Sequence, residues 1–177
     1  GCGKSTLFSL LTGIEPADGG TLLADGEPIG AGEQRFAWMP QDDVLFPWRT
    51  VLGNVALGAE VGAGLSRSAA RARALELLPT FGLEEFADSR PFQLSGGMRQ
   101  RAALARTVAQ GHDVLLLDEP FGALDALTRT DLQLWLEQIW ERERWTVVLI
   151  THDVREAVLL SDHVYVLSPR PATVRLE

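Results

Sequence analysis

The chain has 177 residues, 46% of them hydrophobic and 23% charged, and its formal net charge is -8. This composition is typical of one folded domain. The acidic surplus argues against a nucleic-acid partner, because neutralising phosphates requires a surplus of Lys and Arg. Cys2 is the single cysteine, so an internal disulfide is excluded and a reducing, cytosolic setting is favoured. No apolar run approaches the roughly 20 residues of a membrane-spanning helix.

The chain opens with GCGKST, the second half of the phosphate-binding pattern G-x-x-x-x-G-K-[ST]. Glycines let backbone N–H groups close around phosphate oxygens, and the start of a helix adds positive partial charge. Lys4 is expected to reach the β- and γ-phosphates, and the Ser5 hydroxyl to bind Mg²⁺. The alternative is a helix that merely begins after a glycine turn. The predicted nucleotide contacts in this loop are Gly1, Cys2, Gly3, Lys4, Ser5 and Thr6.

The next elements are short. The first helix is predicted to carry Leu7, Leu10 and Leu11 on its apolar side and to end at Gly13. Turn signals at 18–20 and 25–26 flank a predicted strand over residues 21–24, and a second strand is predicted over residues 36–39. Residues 51–109 are rich in Ala, Leu and Arg, which indicates helices.

Two continuous apolar runs predict strands that are buried on both faces, as in a parallel sheet. They are residues 114–117 and 146–150, separated by a predicted helix over residues 126–144. Asp153 and Glu156 form a plausible capping pair for a further helix that ends near Leu160, and a last strand is predicted over residues 164–167. The alternation of strands and helices predicts an α/β fold with right-handed crossovers.

Asp118 and Glu119 follow the first of these runs, and the strand resembles the Walker B element of phosphate-binding proteins. A carboxylate at the carboxyl end of a parallel strand faces the crevice where ligands bind. Asp118 is therefore expected to hold Mg²⁺ and Glu119 to polarise the attacking water. The alternative is that both acids simply end a strand.

The segment LSGGMRQ, residues 94–100, resembles the signature sequence of the ATP-binding-cassette (ABC) family. Ser95, Gly96 and Gly97 at a helix start offer a hydroxyl and exposed N–H groups, which suit a second phosphate site. A plain capped helix is the alternative. In the family, this site serves the ATP bound to the partner subunit.

Three more segments follow the order of the family. Gln41 resembles the Q-loop glutamine, which contacts Mg²⁺ and the attacking water. Asp125, in the sequence GALD, resembles the D-loop at the dimer interface. His152 resembles the H-loop histidine, which contacts the γ-phosphate, although a lone histidine is usually structural. The resemblance thus implies Glu119, His152 and Gln41 as catalytic residues and Ser5, Gln41 and Asp118 as metal ligands.

The resemblance implies a P-loop NTPase of the RecA-like type, with a parallel-sheet core and a partial antiparallel β subdomain over residues 1–50 and 110–177. Residues 51–109 would form an inserted helical subdomain. The implied activity is ATP hydrolysis by an importer subunit at the cytoplasmic face of the inner membrane. The implied partners are a second ATPase subunit, transmembrane permease subunits and, indirectly, a solute-binding protein.

Residues 45–55 and 167–171 resemble the importer branch for nitrate, sulfonate, taurine and thiamine precursors. Residues 41–55, with Phe46 and Trp48, are expected to dock the permease, and the alternative is that both aromatic side chains pack internally. The alternatives are a soluble ABC protein of DNA repair, chromosome organisation or translation, and one half of an exporter. The chain begins inside the phosphate-binding motif, so we expect a fragment that lacks the adenine-stacking aromatic residue and is a poor ATPase by itself.

Overall fold

The computed structural model describes residues 3–29 and 34–176, which fold as an α/β unit. The elements in chain order are α1 (Lys4–Leu11), β1 (Leu23–Ala24), β2 (Glu27–Pro28), β3 (Phe36–Met39), α2 (Val51–Val61), α3 (Arg67–Leu77), α4 (Gly96–Val108), β4 (Val114–Asp118), α5 (Ala126–Glu143), β5 (Thr146–Ile150), α6 (Val154–Leu160), β6 (Val166–Leu167) and β7 (Val174–Leu176). Short 3₁₀ turns lie at Glu84–Phe86 and Pro91–Gln93.

A parallel sheet with the strand order β3–β4–β5 forms the centre of this unit. The register pairs Phe36 with Val114 and Asp118 with Ile150. The predicted strands at 36–39 and 146–150 coincide with β3 and β5, and β4 extends one residue past the predicted run, to Asp118. The prediction of a parallel sheet with helical crossovers is therefore confirmed.

The two faces of the sheet bury different helices. Leu115 and Leu117 of β4 belong to a large core cluster that also includes buried residues of the helices α2 to α5. Leu116 points the other way, into a smaller cluster with Phe8 of α1 and Ile150. The prediction for α1 was partly wrong, because Phe8 is fully buried whereas Leu7 is 42% exposed. Phe8 has a larger side chain than Leu7, and its burial determines which face of this eight-residue helix packs against the sheet.

Helices α2, α3 and α4 pack against one another beside the sheet. Each helix is capped at its start by a hydroxyl side chain that accepts a hydrogen bond from a backbone N–H of the first turn. The capping residues are Thr50, Ser66 and Ser95 respectively. Helices α2 and α4 cross closely at Gly58, where a Cβ atom would lie 2.0 Å from the backbone oxygen of Arg106. The small residue at this crossing therefore fixes the distance between the two helices.

Two smaller predictions differ from the structure. The predicted strand at 21–24 is reduced to Leu23–Ala24, which pairs antiparallel with β2 across a tight turn at Asp25 and Gly26, both at positive φ. The final strand spans Val166–Leu167 rather than 164–167. In the part of the chain that the structure describes, no helix is both long and apolar enough to cross a membrane.

The predicted capping pair of α6 is half wrong. Asp153 does cap the helix, since its carboxylate accepts a bond from the Arg155 N–H. Glu156 turns away from the helix start and is 5% exposed. It accepts bonds from the Thr151 hydroxyl and the Gln133 amide instead. A buried carboxylate requires such donors, and here they are side chains of other elements.

Candidate nucleotide-hydrolysis site

Three parallel strands end at the same edge of the sheet, and each is followed by a polar side chain that the sequence had singled out. Gln41 follows β3, Asp118 and Glu119 end β4, and His152 follows β5. Because parallel strands present their carboxyl ends together, residues far apart in the chain become neighbours here. This edge of the sheet is therefore the candidate site.

Helix α1, which contains Lys4, Ser5 and Thr6 of the predicted phosphate-binding motif, begins beside this edge. Gly3 occupies the N-cap position with φ 105°, a backbone conformation that glycine adopts at little cost. Among the residues that the structure describes, no side chain caps α1. Its first N–H groups therefore suit an anion such as a phosphate. Thr6 lies on the exposed surface of the same helix. Gly1 and Cys2 lie outside the described residues.

Asp118 is buried at the end of β4, with only 3% of its surface exposed. Burial raises the pKa of its carboxyl group, and the neighbouring Glu119 charge adds to this effect. A hydrogen bond from the Ser5 side chain and the charge of Lys4 act in the opposite direction. Lys4, Ser5 and Asp118 thus lie close together, as the predicted binding of phosphate and Mg²⁺ requires.

Two side chains from the ends of the neighbouring strands contact the Glu119 carboxylate. The Gln41 amide nitrogen donates to Glu119 Oε2 over 3.3 Å. His152 Nδ1 lies 3.0 Å from the same oxygen. The Glu119 side chain is 18% exposed, and that of His152 is 69% exposed. The three residues assigned to catalysis therefore meet at one carboxylate oxygen on the open side of the sheet.

The backbone of Glu119 lies in the left-handed region, with φ 46°. A residue other than glycine pays about 1–3 kcal/mol for such a conformation, which tends to occur at functional sites. Two backbone hydrogen bonds hold it. The Glu119 N–H donates to the Ile150 carbonyl at 2.8 Å, and its carbonyl accepts from the Gly122 N–H at 3.0 Å. The strained turn directs the carboxylate toward Gln41 and His152.

A polar network around the buried Glu156 lies next to His152 in the chain, and the sequence analysis did not predict its contacts. Thr151 donates to Glu156 and accepts from the Asp153 N–H. Arg129 of α5 lies within 4.0 Å of Glu156 and donates to the Leu124 carbonyl. The network joins the start of α5 to the loop that carries His152. The spacing of these residues carries no periodic signal, and only the tertiary fold brings them together.

The signature residues occupy the start of α4. The Ser95 hydroxyl accepts a bond from the Met98 N–H, and Ser95 itself is exposed. A Cβ atom on Gly97 would lie 2.8 Å from Thr128, so this glycine permits close packing against α5. Gly96 and Gln41 line one polar cleft, together with Ala123 and Leu124. The hydrogen bonds of Ser95 lie within its own helix, which leaves its surface side available to another molecule.

Asp125 of the D-loop is exposed and caps α5. Its carboxylate accepts bonds from the Leu127 and Thr128 N–H groups. Hydrogen bonds from Thr128, side chain first and then backbone, lower the pKa of Asp125. The structure therefore gives Asp125 a capping role within the chain, beside the interface role that the family resemblance implies.

The donor set near Asp118 fits a magnesium ion. Asp118 Oδ1 is buried and has no hydrogen-bond partner among the described residues. The Ser5 hydroxyl, bonded to Asp118, supplies a second hard oxygen. Mg²⁺ prefers oxygen ligands and usually retains waters and phosphate oxygens rather than a full protein cage. Within the described ranges, no cluster of three or more His, Cys, Asp or Glu side chains is arranged for a metal.

The fold and this strand-end arrangement define the class of P-loop nucleotide-binding proteins. Comparison with known families is more specific. A family model described as ABC transporter matches residues 1–122. The chain therefore belongs to the ABC transporter family.

Curated relatives support the assignment. The chain is 47% identical over 174 residues to the taurine import ATP-binding protein of Rhizobium johnstonii. This match covers 98% of this chain and 66% of that protein. It is 46% identical over 176 residues to an uncharacterized ABC transporter ATP-binding protein of Methanocaldococcus jannaschii, covering 99% and 65%. The chain thus spans about two thirds of the length of the curated relatives that it matches.

Solved structures give the same fold. A dimeric ATP-binding cassette in a post-hydrolysis state, bound to ADP and Pi, superposes with a TM-score of 0.71 at 31% identity. The match covers 89% of this chain and 73% of that one. A dimeric bacterial ABC transporter cassette gives the same values. The predicted P-loop NTPase fold is confirmed.

Proposed function

We propose that this chain is the ATP-binding and ATP-hydrolysing part of an ABC importer that energises uptake of a small solute. The observation that carries the proposal is the meeting of Gln41 and His152 on the Glu119 carboxylate, beside the buried Asp118. In a structural carboxylate, burial and ion pairing would be expected, but not contacts with two polar side chains from the ends of adjacent strands on an open edge.

In the proposed reaction, Glu119 acts as general base. It accepts a proton from a water molecule as the water oxygen attacks the γ-phosphorus, and the bond to the bridging oxygen breaks to give ADP and phosphate. Gln41 and His152 hold one carboxylate oxygen, Oε2, so that the other, Oε1, can address the water. Lys4 and the α1 N–H groups bind the phosphates. Ser5 and Asp118 would hold Mg²⁺, which neutralises developing charge on the phosphate oxygens when bound.

Replacing Glu119 with Gln tests this assignment. The substitution keeps the size and the hydrogen-bonding ability of the side chain but removes its basicity. In the intact protein, ATP affinity is expected to stay near wild type, and turnover to fall by about 10²–10⁴-fold. Glu137→Gln, on α5, is the control and should leave both unchanged. Near-normal turnover of Glu119→Gln contradicts the proposal.

The proposed working unit contains two such chains. Each ATP would lie between the phosphate loop of one subunit and Ser95, Gly96 and Gly97 of the other, with Asp125 near the contact. The exposed side of Ser95 supports this, and so do the dimeric cassettes of similar fold. Residues 51–109 would act as a helical subdomain that moves the signature toward the partner's phosphates.

The dimer would act on transmembrane permease subunits at the cytoplasmic face of the inner membrane, supplied by a solute-binding protein. Similarity to taurine import proteins favours a small sulfonate as solute, with nitrate and thiamine precursors as alternatives. Uptake of labelled taurine by the reconstituted transporter, with each alternative as competitor, would decide among these. Absence of taurine uptake would overturn the choice of solute but not the ATPase assignment.

A further inference from the structure

A tight turn at residues 43–45, here called the Val44 turn, follows Gln41 and contains unusual backbone. Val44 has φ 40°, in the left-handed region, and its side chain is 55% exposed. A β-branched residue is strongly disfavoured there. Burial of the valine side chain cannot be the compensation, because most of that side chain faces solvent. Something else must hold this conformation.

Two arginines of α4 hold the turn. Arg106 donates from Nη1 to the Val44 carbonyl at 2.6 Å and from Nη2 to the Asp43 carbonyl at 2.8 Å. Arg99 Nε lies 3.1 Å from Asp43 Oδ2. The other carboxylate oxygen of Asp43 accepts from the Leu45 N–H at 3.2 Å. The fork of Arg106 thus binds two consecutive carbonyls, which only arginine can do in this geometry.

Arg106 is itself fixed in place. Its backbone carbonyl packs against Gly58 of α2, where even a Cβ atom would clash. Burial lowers the pKa of the guanidinium, while the Asp43 carboxylate opposes this effect. An arginine remains charged under these conditions, so its hydrogen bonds to the two carbonyls are charge-assisted. The helix therefore offers the turn a rigid and permanently charged partner.

The Val44 turn connects Gln41, at the candidate site, to the segment that leads into helix α2. Two residues before it, Gln41 donates to Glu119. Leu45, the last residue of the turn, is buried, and directly after it the Phe46 N–H donates to the buried Asn54 of α2 at 2.7 Å. Because both ends of this stretch are anchored, the conformation of Val44 fixes how far Gln41 reaches over the sheet edge.

We propose that Arg106 is a positioning residue for hydrolysis: it holds the Val44 turn in its strained conformation and so sets the contact of Gln41 with Glu119. This inference rests on the proposed ATPase function. Without the guanidinium, valine relaxes toward negative φ and Gln41 is displaced. Glycine at position 44 adopts positive φ at little cost, so it keeps the turn without Arg106.

The test is a double-substitution cycle in the intact protein. Arg106→Gln is expected to lower kcat about tenfold, with the KM for ATP changed less than about threefold, because reacting groups are misplaced while phosphate binding is kept. Val44→Gly alone should stay within about threefold of wild type. The combination of Arg106→Gln and Val44→Gly should recover most of the lost turnover. Arg101→Gln is the control, since Arg101 lies on the same helix but stacks on Trp135 at 4.8 Å.

Hydrogen exchange provides a second measurement that does not depend on hydrolysis. In nucleotide-free protein, Arg106→Gln should speed exchange of the amides of residues 42–46, and Arg101→Gln should not. Normal turnover and normal exchange in Arg106→Gln would overturn the inference. So would a double variant no more active than Arg106→Gln, because Arg106 would then act only on general stability. A wild-type protein that does not hydrolyse ATP would instead overturn the proposed function, and the exchange measurement would still decide whether Arg106 holds the turn.

Discussion

His152 and Glu119 meet across the ends of two neighbouring strands, with Nδ1 of the histidine 3.0 Å from Oε2 of the carboxylate. The strand pairing brings them together, since Asp118 lies opposite Ile150 and the Glu119 N–H bonds to the Ile150 carbonyl. The carboxylate cannot change orientation without losing this partner. If Glu119 is the base, as proposed, this contact gives His152 a role that requires no direct chemistry, namely fixing the orientation of the Glu119 carboxylate.

Replacing His152 with Ala is therefore expected to lower turnover by about 10–100-fold, because Glu119 would be left to rotate away from the attacking water. ATP affinity should change far less, since the proposed phosphate contacts are at the start of α1 and not at His152. Steady-state hydrolysis and nucleotide titration measure the two effects. His163→Ala is the matched control and should behave as wild type. A variant at His152 with unchanged turnover would show that the contact has no functional consequence.

The sequence was sufficient for the elements that carry strong local signals. The strands at 36–39 and 146–150 were located to the residue because apolar runs bounded by turns or polar residues are unambiguous. Gln41, Glu119 and His152 were each selected by a motif, but their meeting at one oxygen was not visible in it. That arrangement depends on strand order and register, which are properties of the whole fold.

Other features left no local signal. Arg106 reads as one more polar residue of an alanine-rich helix, and nothing in the sequence indicates that Val44 has positive φ. Glu156 has the spacing of a capping residue, yet tertiary contacts with Gln133 and Thr151 draw it inward. In α1 the predicted apolar side contained Leu7 and not Phe8, and only packing against the sheet shows that Phe8 is the buried residue.

Replacing Asp118 with Asn is expected to stabilise the nucleotide-free and metal-free protein while abolishing Mg²⁺-dependent turnover. Burial raises the pKa of Asp118, so its ionised form costs free energy in the folded state. The melting temperature of the variant at pH 8 should therefore be higher than that of the wild type.

The pH dependence follows from the same shift. For an acid whose folded-state pKa is raised, stability is greatest below the unfolded-state pKa and falls as pH rises through the folded-state pKa. The advantage of Asp118→Asn should therefore shrink as pH is lowered through that range and vanish when both states are protonated. Exposed Asp162→Asn serves as control. A stabilisation that stayed constant with pH would mean that burial of the charge is not its cause.

Trp48→Ala is expected to weaken association with the permease or the coupling of hydrolysis to transport, while ATP binding stays intact. Trp48 is 69% exposed, and its ring lies tilted against that of Phe46 with the centroids 5.1 Å apart, so its loss should cost the fold little. Asn54 holds the loop beneath the pair by accepting from the Phe46 N–H and donating to the Phe46 and Thr50 carbonyls. Co-purification with the permease and transport in vesicles are the measurements, with Tyr165→Ala as an exposed aromatic control. Normal assembly and normal transport would argue that the two rings only cover the loop.

Mixed dimers can establish whether each ATP is shared between two chains. If the phosphate loop of one subunit meets the signature of the other, then Lys4→Ala on one chain and Ser95→Arg on its partner fall in the same composite site. The second site then remains intact, and the dimer should retain the turnover of one site. Lys4→Ala removes the charge that is proposed to bind phosphate, and Ser95→Arg places a bulky side chain at the exposed start of α4.

The decisive comparison has the same two substitutions placed together on one chain, paired with a wild-type partner. In the shared arrangement each site of this dimer then carries one lesion, and turnover should be nearly lost. If every chain instead built its site alone, the order would reverse: the doubly substituted dimer would keep its wild-type site, and the first dimer would lose both. Purifying each pair with two different affinity tags and measuring ATP turnover distinguishes the two arrangements, since they predict opposite ranks for dimers of identical composition.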